Sequence, residues 1–475
     1  MRRTRIIATL GPAVADPGVL KRLLAAGTDA VRLNFSHGTH EDHARSIVRL
    51  REAAAELGRP VAIIADLCGP KLRTGPLAAG PVELRDGEPF TLTAREVPGD
   101  VHETGLSWPA LARDVRVGDA LLLDDGALEL RVESTDGTDV RCVVVRGGLL
   151  GARKGINLPH TPVSAPALTE KDRADLAFGL SQGIDAVMLS FVRRPEDLQE
   201  TRALMLAAGA DALLYAKIER AEAVARVDFL LPHCDGIVVA RGDLGVEIPL
   251  EGVPPAQKLL IDKALQAGKL CITATQMLKS MVESSRPTRA EVSDVANAVL
   301  DGSDGLLLTE ETAAGRYPVE AVATMARVIE AAESIFPHRT WEHRFDPRAR
   351  SGAPEAVAHA AVRMAAELGA AAIITLTRSG STTQLVARWR PVQPVLALTP
   401  VPAVLRRLSL VWGAQPALLE NEVDGDLLQR QALMACARSG LARPGDTVVL
   451  TAGWPLAATG GTNLIRVAKV PALEA

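Results

Sequence analysis

The sequence predicts an α/β protein, namely a (β/α)8 TIM barrel with an inserted all-β lid domain and a C-terminal open α/β domain. Eight short apolar runs alternate with stretches of helical spacing, and a block of polar and apolar alternation interrupts them after the third run. A further strand and helix region follows the eighth run. We place the barrel at 1–73 and 163–340, the lid at 74–162 and the C-terminal domain at 341–475.

The barrel prediction rests on apolar runs short enough to be strands. Three runs precede the inserted block and five follow it, with helical segments between them, so parallel pairing through right-handed crossovers is expected. The predicted strands are Arg5 to Thr9, Asp29 to Leu33, Val61 to Asp66, Asp185 to Ser190, Leu213 to Ile218, Gly236 to Ala240, Leu270 to Thr273 and Gly305 to Leu308.

The inserted block carries three hairpin signals, Asp86-Gly87, Asp125-Gly126 and Asp136-Gly137. An all-β module at this point is expected to lie over the carboxyl-terminal mouth of the barrel, where a lid can exclude water. The C-terminal region predicts an open sheet with strands at Ala371 to Thr377, Val395 to Thr399, Gln415 to Leu419, Thr447 to Ala452 and Leu464 to Val470.

Composition and charge exclude several classes of protein. Apolar residues make up 47% of the chain and aromatic residues 3%, so the core is expected to be aliphatic. The net charge of −4 has no long run of either sign, which argues against a nucleic-acid or membrane partner. Five scattered cysteines without a Cys-x-x-Cys pair, and no signal-peptide pattern, predict a cytoplasmic protein.

Polar side chains follow all eight predicted strands. One of them alone is explained equally well by a helix cap or a turn, but eight at the same end of a barrel indicate an active site. They are Thr9; Arg32, Asn34, Ser36 and His37; Asp66, Lys71 and Arg73; Ser190; Lys217 and Glu219; Arg241, Gly242 and Asp243; Thr275; and Thr309.

Lys217, Glu219 and Asp243 are the most informative of these residues. Strand alternation puts Lys217 and Glu219 on one face, where a purely structural ion pair is the alternative interpretation. Carboxylates on neighbouring strand ends suit Mg²⁺ or Mn²⁺. The flanking cations suit phosphate, which favours phosphoryl transfer. They are Arg32, Lys71, Arg73, Lys217 and Arg241. The residues leave two other functions open, a lyase or aldolase that stabilises a pyruvate enolate and a noncatalytic metabolite sensor.

Six longer segments, in order along essentially the whole chain, resemble the pyruvate kinase family. The segments are Arg32-Leu-Asn-Phe-Ser-His-Gly-Thr-His, Gly151-Ala-Arg-Lys-Gly-Ile-Asn-Leu-Pro, Ala216-Lys-Ile-Glu, Val239-Ala-Arg-Gly-Asp-Leu-Gly-Val-Glu-Ile-Pro, Ala274-Thr-Gln-Met-Leu and Arg286-Pro-Thr-Arg-Ala-Glu-Val-Ser-Asp-Val-Ala-Asn-Ala-Val-Leu-Asp-Gly. The resemblance implies transfer of a phosphoryl group from phosphoenolpyruvate to ADP, giving pyruvate and ATP in the last step of glycolysis. It also implies a homotetramer.

The resemblance implies a role for each matched residue. Glu219 and Asp243 would hold the divalent metal, and Lys217 would neutralise charge on the phosphoryl group and the enolate oxygen. A water near Thr275 is the expected proton donor to the enolate. The path of this proton is expected to pass a difference from the family, because Glu310 stands where many relatives have glycine. The other implied roles are substrate binding by Arg32, Lys217, Thr275 and the backbone of Arg241, Gly242 and Asp243, nucleotide binding by Asn34, His37, Arg73 and Lys154, and catalysis by Lys217, Arg32, Thr275, Arg73 and Thr309.

Two positions predict activity without potassium. Relatives that require the ion resemble one another in having Thr and Glu where this chain has Leu67 and Lys71. We expect the Lys71 ammonium to replace potassium near Asn34, Ser36 and Asp66.

The loop Thr377-Arg-Ser-Gly-Ser-Thr-Thr follows a predicted strand and precedes a helix, a position that suits an anion or a plain helix cap. The resemblance favours allosteric regulation by a sugar phosphate or a nucleotide monophosphate at this loop. The expected contacts are Thr377, Ser379, Gly380, Ser381 and Thr382.

Overall fold

Eight parallel strands close a barrel in the computed structural model, which describes residues 2–159, 161, 163–345, 352–419, 426–454 and 461–472. The strands are β1 (Arg5–Thr9), β2 (Ala30–Asn34), β3 (Ala62–Asp66), β4 (Ala186–Leu189), β5 (Leu213–Ile218), β6 (Gly236–Ala240), β7 (Leu270–Ala274) and β8 (Gly305–Leu308). The inserted domain follows β3, and an open α/β domain follows the barrel. The predicted fold class is confirmed.

Helices surround the barrel and cover its strands with aliphatic side chains. Three of the longer helices begin at a threonine in a capping box, Thr39, Thr169 and Thr288, which satisfies the free N–H groups of the first turn. The helical segment between β5 and β6 is interrupted at Arg226. The α-helices of the barrel are Pro17–Ala25, His40–Glu56, Glu170–Ser181, Pro195–Ala207, Ala221–Ala225, Val227–Leu230, Arg241–Glu247, Val253–Gln266, Arg289–Asp301, Glu310–Ala313 and Pro318–Glu333.

The inserted domain, called the lid below, has its own aliphatic core. The turns at Asp125-Gly126 and Asp136-Gly137 join antiparallel neighbours as predicted. The hairpin prediction at Asp86-Gly87 is wrong, because the flanking strands belong to different sheets and this turn moves the chain between them. The strands of the lid are Val82–Leu84, Pro89–Thr93, Glu103–Gly105, Ala120–Leu123, Leu128–Thr135, Asp139–Arg146, Gly148–Leu150 and Ile156–Asn157, with one short helix at Leu111–Asp114.

The C-terminal domain is a five-stranded sheet in which only the last strand runs antiparallel to its neighbour. Its strands are Ala372–Leu376, Val395–Thr399, Ala414–Leu418, Thr447–Ala452 and Leu464–Lys469, and its helices are Ala353–Glu367, Ser381–Ala387, Pro402–Arg407 and Asp426–Arg438. The boundary predicted at 341 falls inside a 3-10 helix, His338–Arg344, whose Trp341 is buried. Within the described residues, no helix is long and apolar enough to cross a membrane.

Aspartates line the floor of the barrel, at the amino ends of the strands. One aspartate precedes each even-numbered strand, and its carboxylate accepts the backbone N–H of the preceding odd-numbered strand. The bonds are Ile6 N to Asp29 at 2.8 Å, Ile63 N to Asp185 at 2.9 Å, Leu214 N to Asp235 at 2.8 Å and Cys271 N to Asp304 at 2.8 Å. Asp29 and Asp185 were predicted to begin strands, but β2 and β4 begin one residue later, at Ala30 and Ala186.

The C-terminal domain attaches to this floor, at the end of the barrel opposite the mouth. Arg406 Nε lies 2.8 Å from Asp185 Oδ1, and Arg390 Nη1 lies 2.9 Å from Asp304 Oδ1. Apolar residues of both domains form one cluster around these pairs. The attachment leaves the carboxyl ends of the strands free for a site.

Candidate active site

Lys217 projects into the barrel from β5. Its Nζ donates to Ser190 Oγ at 2.8 Å and lies 2.8 Å from Glu219 Oε1 and 3.4 Å from Asp66 Oδ1. Burial alone would lower the pKa of Lys217, but Asp66 and Glu219 hold that pKa above its ordinary value. A charged ammonium is therefore stable inside the barrel.

Glu219 and Asp243 form a pair of carboxylates beside Lys217. The Glu219 carboxylate is almost fully buried, and its Oε2 accepts the N–H of Phe191 at 2.7 Å. Burial raises the pKa of Glu219, Lys217 lowers it, and the charge of Asp243 raises it further. The negative charges of the pair are thus incompletely compensated, so a divalent cation between them would be stabilised.

The two carboxylates fit a Mg²⁺ or Mn²⁺ site completed by water and substrate better than a metal site formed entirely by protein ligands. Mg²⁺ binds through one or two carboxylates and fills its other positions with water and substrate oxygens. In the part of the chain that the structure describes, no group of three or more His, Cys, Asp or Glu residues is arranged to hold a metal.

Arg32 lies next to this cluster. Its Nε is 2.6 Å from Asp66 Oδ2, and its Nη1 donates to Thr9 Oγ1 at 3.1 Å. Burial would raise the pKa of Asp66, but Lys217 and Arg32 together hold that pKa below its usual range. Asp66 thus anchors both cations.

The loop after β7 has a strained backbone at the mouth of the barrel. Thr275 and Gln276 have φ of +69° and +54°, a region that a β-branched residue rarely adopts. Thr275 Oγ1 accepts the N–H of Gly242 at 2.7 Å, which holds this loop against the start of the helix Arg241–Glu247.

The Arg241 side chain does not join the phosphate-facing cations, which corrects the sequence interpretation. Its Nη2 donates to the Thr275 carbonyl at 2.7 Å, and its Nη1 lies 2.6 Å from Asp294 Oδ1. The helix that begins at Arg241 turns this guanidinium away from the mouth and uses it to hold the strained loop. Only the backbone of Arg241 remains available to a ligand.

A cavity of roughly 1090 Å³ opens above the cluster at the carboxyl ends of the strands. Ten of the residues predicted for the site line this cavity. Lys217, Glu219 and Asp66 do not line it and lie deeper in the barrel. The ten are Thr9, Arg32, Asn34, His37, Lys71, Arg241, Gly242, Asp243, Thr275 and Thr309.

Lys71 occupies a different place from the one predicted. Among the described residues, the ion-pair partners of Asp66 are Arg32 and Lys217, whereas Lys71 Nζ lies 3.8 Å from Asp243 Oδ1. Gly69, with φ of +66°, turns the chain after β3 towards the lid, so Lys71 reaches across the mouth.

Around the predicted cation position, Asn34 Oδ1 accepts the Ser36 N–H at 3.1 Å. Leu67 is buried, and its N–H donates to the barrel carbonyl of Met188. Neither Leu67 nor Ser36 lines the cavity. The predicted replacement of potassium beside Asp66 is therefore not the arrangement seen.

The lid contributes Asp125 to the wall of the cavity that Asp243 also lines. Lys154 and Arg73, predicted to bind the nucleotide, do not line this cavity. Lys154 Nζ lies 2.9 Å from Asp124 Oδ1, and Arg73 Nη1 donates to the Arg153 carbonyl at 3.1 Å. Both side chains are thus held by lid residues.

Thr309 directly follows β8 on the cavity wall, where its N–H and hydroxyl donate to Glu311 Oε2 at 2.8 and 3.1 Å. The unusual Glu310 forms an ion pair with Lys279 on the cavity rim. The carboxylate that replaces the family's glycine is therefore neutralised by a neighbouring lysine.

Two residues of the site were given no role from the sequence. Ser190 was included by the strand-end rule without a role, and its Oγ accepts from Lys217 and donates to the Leu67 carbonyl at 2.7 Å. Asp125 carried only a hairpin signal, and its place at the mouth depends on how the lid packs.

The predicted effector loop lies far from the mouth, in the C-terminal domain. Thr377 Oγ1 accepts the Gly380 N–H at 2.9 Å, and the Thr382 hydroxyl is buried against Thr462 at 2.8 Å. Ser379 and Ser381, whose hydroxyl oxygens are 3.0 Å apart, are the exposed pair. Two of the predicted hydroxyls are thus engaged within the domain.

Known proteins share this architecture and these motifs. Residues 1–322 match the family model of the pyruvate kinase barrel domain, and residues 355–468 match that of the pyruvate kinase alpha/beta domain. The chain belongs to the pyruvate kinase family. It is therefore an enzyme of the phosphotransferase class, and the family resemblance read from the sequence is confirmed.

Relatives within the pyruvate kinase family match nearly the whole chain. Pyruvate kinase 2 of Synechocystis sp. is 47% identical over 99% of this chain and 80% of its own length. The pyruvate kinase of Geobacillus stearothermophilus is 46% identical over 98% of this chain and 80% of its own length. The crystal structure of a pyruvate kinase from Cryptosporidium parvum matches with a TM-score of 0.94 at 36% identity, covering 99% of this chain and 96% of that one.

Proposed function

We propose that this chain transfers the phosphoryl group of phosphoenolpyruvate to ADP at the mouth of the barrel, giving pyruvate and ATP in the last step of glycolysis. The observation that carries this proposal is the buried Lys217 ammonium, 2.8 Å from Glu219 Oε1 and below a cavity lined by Asp243, Arg32 and Thr275. Phosphoryl transfer needs chiefly positioning and charge stabilisation, which these groups supply without a covalent nucleophile.

Glu219 and Asp243 are proposed to hold Mg²⁺ or Mn²⁺, which when bound stabilises negative charge on the substrate oxygens. We expect Glu219→Gln to weaken Mn²⁺ binding by about tenfold or more, because it removes a charged oxygen ligand. Electron paramagnetic resonance of free Mn²⁺ measures this directly. Glu251→Gln, at an exposed site, is the control, and equal Mn²⁺ affinity in the two variants would contradict the assignment.

In the proposed reaction, the bond between phosphorus and the enolate oxygen breaks as ADP forms a bond to phosphorus. Lys217 stabilises charge on the phosphoryl group and the enolate oxygen, and Arg32 binds phosphate. The backbone N–H groups of Arg241, Gly242 and Asp243, with the Thr275 hydroxyl, are assigned to the substrate carboxylate, and Thr309 is assigned to the proton path. Asn34, His37, Arg73 and Lys154 are assigned to the nucleotide. A water near Thr275 then protonates the enolate carbon.

A coupled assay for pyruvate, with phosphoenolpyruvate, ADP and Mg²⁺, tests the reaction. ADP-dependent turnover is expected. Pyruvate and inorganic phosphate formed without ADP would indicate hydrolysis of phosphoenolpyruvate and not transfer to ADP. The absence of turnover would favour the lyase or aldolase and the metabolite sensor over the kinase.

We further propose that the activity does not depend on potassium, because Lys71 places a fixed ammonium in the cavity beside Asp243. Adding potassium at constant ionic strength is expected to change the rate by less than about twofold, since a tethered cation already supplies the charge. Lys71→Glu should make the rate rise several-fold with potassium. Choline chloride is the matched salt control, and a several-fold potassium activation of the unaltered enzyme would contradict the proposal.

Allosteric regulation through the loop 377–382 is proposed from its exposed hydroxyls and from the family. A sugar phosphate or a nucleotide monophosphate is expected to lower the KM for phosphoenolpyruvate, and Ser379→Asp should abolish this response by charge repulsion. Initial rates with and without each effector measure it. Ser439→Asp, also in the C-terminal domain, is the control. An effector response that survives Ser379→Asp would place the effector elsewhere.

A homotetramer is also proposed from the family, and a cytoplasmic location from the scattered cysteines. Sedimentation should give the mass of four chains of 50.2 kDa.

A further inference from the structure

A buried ion pair lies where the lid chain returns to the barrel. Arg220 Nη1 and Glu247 Oε1 are 3.5 Å apart, and the two side chains are 10% and 2% exposed. Arg220 directly follows Glu219, and Glu247 ends the helix Arg241–Glu247 that carries Asp243. The pair therefore joins the two segments that supply the proposed metal-binding carboxylates.

Arg220 also contacts the return chain of the lid, defined here as residues 157–159, 161 and 163–165. Arg220 Nη2 donates to the carbonyls of Leu158 and Thr161, each at 3.3 Å. Asn157 lies close enough to Glu247 to lower the pKa of its carboxyl group. Arg220 thus joins the return chain to Glu247.

These contacts are looser than an ordinary buried ion pair. The distances of 3.3 to 3.5 Å exceed the usual 2.9 Å or so for N–H to O bonds. Among the described residues, Arg220 Nε and Glu247 Oε1 have no hydrogen-bond partner although both are buried. Burial raises the pKa of Glu247 to about 7, an effect that Arg220 and Asn157 only partly offset.

Space for rearrangement is present beside the pair. A cavity of about 30 Å³ is large enough for one water. Its wall includes Arg220, residues 70–72 of the chain that enters the lid, and Asn157 and Val163 of the return chain. Unsatisfied buried polar groups cost free energy. A movement of the Arg220 guanidinium towards either the lid carbonyls or Glu247 would therefore strengthen its hydrogen bonds there. A small movement of the return chain can therefore shift its contacts.

The far end of the return chain is held by a second arginine. Arg193 donates to the carbonyls of Val163 and Ala165. Arg193 lies two residues after Phe191, whose N–H binds Glu219. The return chain is thus held at two places, by Arg193 at its far end and by Arg220 nearer to the lid.

We propose that Arg220 and Glu247 are positioning residues that couple the orientation of the lid to the carboxylates Glu219 and Asp243. The inference rests on the proposed function, because it requires those carboxylates to hold the metal. The pair changes its contacts when the lid moves, so metal binding and lid orientation influence one another reciprocally.

Hydrogen exchange with Mg²⁺ alone as the probe tests the coupling. In the unaltered enzyme, Mg²⁺ should slow exchange in peptides that cover 155–165. In Arg220→Met and Glu247→Gln, Mg²⁺ should still bind, but this response should disappear. The exposed controls Arg226→Met and Glu251→Gln should respond as the unaltered enzyme does.

Kinetics provide the second readout. Each variant should lower kcat/KM for ADP by about tenfold or more, because a lid misplaced by 1 Å or so disturbs the nucleotide. Binding of phosphoenolpyruvate should change by less than roughly twofold, and the double variant should lose no more than either single variant, since the two residues act as one unit.

Several outcomes would overturn the coupling: a Mg²⁺ response that is unchanged in the variants, a response absent from the unaltered enzyme, or additive losses in the double variant. If Arg220→Met fails to fold, Arg220→Lys serves instead, because lysine keeps the charge but cannot contact Glu247 and two carbonyls together. An unaltered enzyme without ADP-dependent turnover would refute the proposed function itself. Normal turnover with normal variants would refute only the coupling.

Discussion

Replacing Lys217 by methionine is expected to lower kcat/KM by at least about 10²- to 10³-fold, roughly 3 kcal/mol or more of transition-state stabilisation. The Lys217 ammonium is the cation between Glu219, Asp66 and the cavity, and methionine keeps the length of the side chain but not its charge. The coupled pyruvate assay measures the loss.

The control must separate chemistry from stability, because removing Lys217 also leaves Glu219 buried without its partner. Thermal unfolding of the variant should therefore be measured at the same time. Lys21→Met, which breaks the exposed pair of Lys21 with Glu56, should leave the rate within about twofold. A folded Lys217→Met enzyme with near-normal turnover would contradict the proposed role.

Replacing Arg390 by leucine is expected to lower the free energy of unfolding by about 3–5 kcal/mol, the usual cost of breaking one side of a buried ion pair. Arg390 is fully buried between the domains, 2.9 Å from Asp304 Oδ1, and it donates to the Gly302 carbonyl at 2.7 Å. Trp412 and Trp341 lie 4.8 and 5.9 Å from its guanidinium. Tryptophan fluorescence in a urea titration therefore reports on this junction.

Arg363→Leu is the matched control for this measurement. Arg363 pairs with Glu367 on an exposed helical face, so its loss should change the free energy of unfolding by less than about 0.5 kcal/mol. If the two substitutions lowered the free energy of unfolding equally, the buried pair of Arg390 with Asp304 would stabilise the protein no more than an exposed ion pair does.

Periodicity predicted the barrel well because parallel strands buried on both faces leave a strong apolar signal. Four of the eight barrel strands, β1, β5, β6 and β8, have the bounds read from the sequence. Strand ends were less exact: Asp29 and Asp185 were assigned to strands because they adjoin apolar runs, and nothing local predicts that their carboxylates bind the backbone of a neighbouring strand. The Asp86-Gly87 turn was wrongly predicted to join a hairpin, because a turn signal does not show whether the strands on either side of it pair with each other.

The sequence predicted which residues form the active site better than it predicted which partners they contact. The strand-end rule collected Lys217, Glu219 and Asp243, and the structure brings Lys217 within 2.8 Å of Glu219. The directions of Arg241 and Lys71 could not be predicted. A long cationic side chain can reach several partners. The partner of Arg241 depends on the helix that begins there, and the partner of Lys71 depends on the turn at Gly69.

By itself, the sequence determined the fold class, the family and the strand ends that carry the charged residues, because these depend on local patterns and long motifs. Only the tertiary structure decided that Arg241 holds the Thr275 loop, that Lys71 meets Asp243, and that Arg220 and Glu247 meet beneath the lid. Those contacts join residues far apart in the chain. Their geometry depends on how the lid and the barrel pack, which no local pattern encodes.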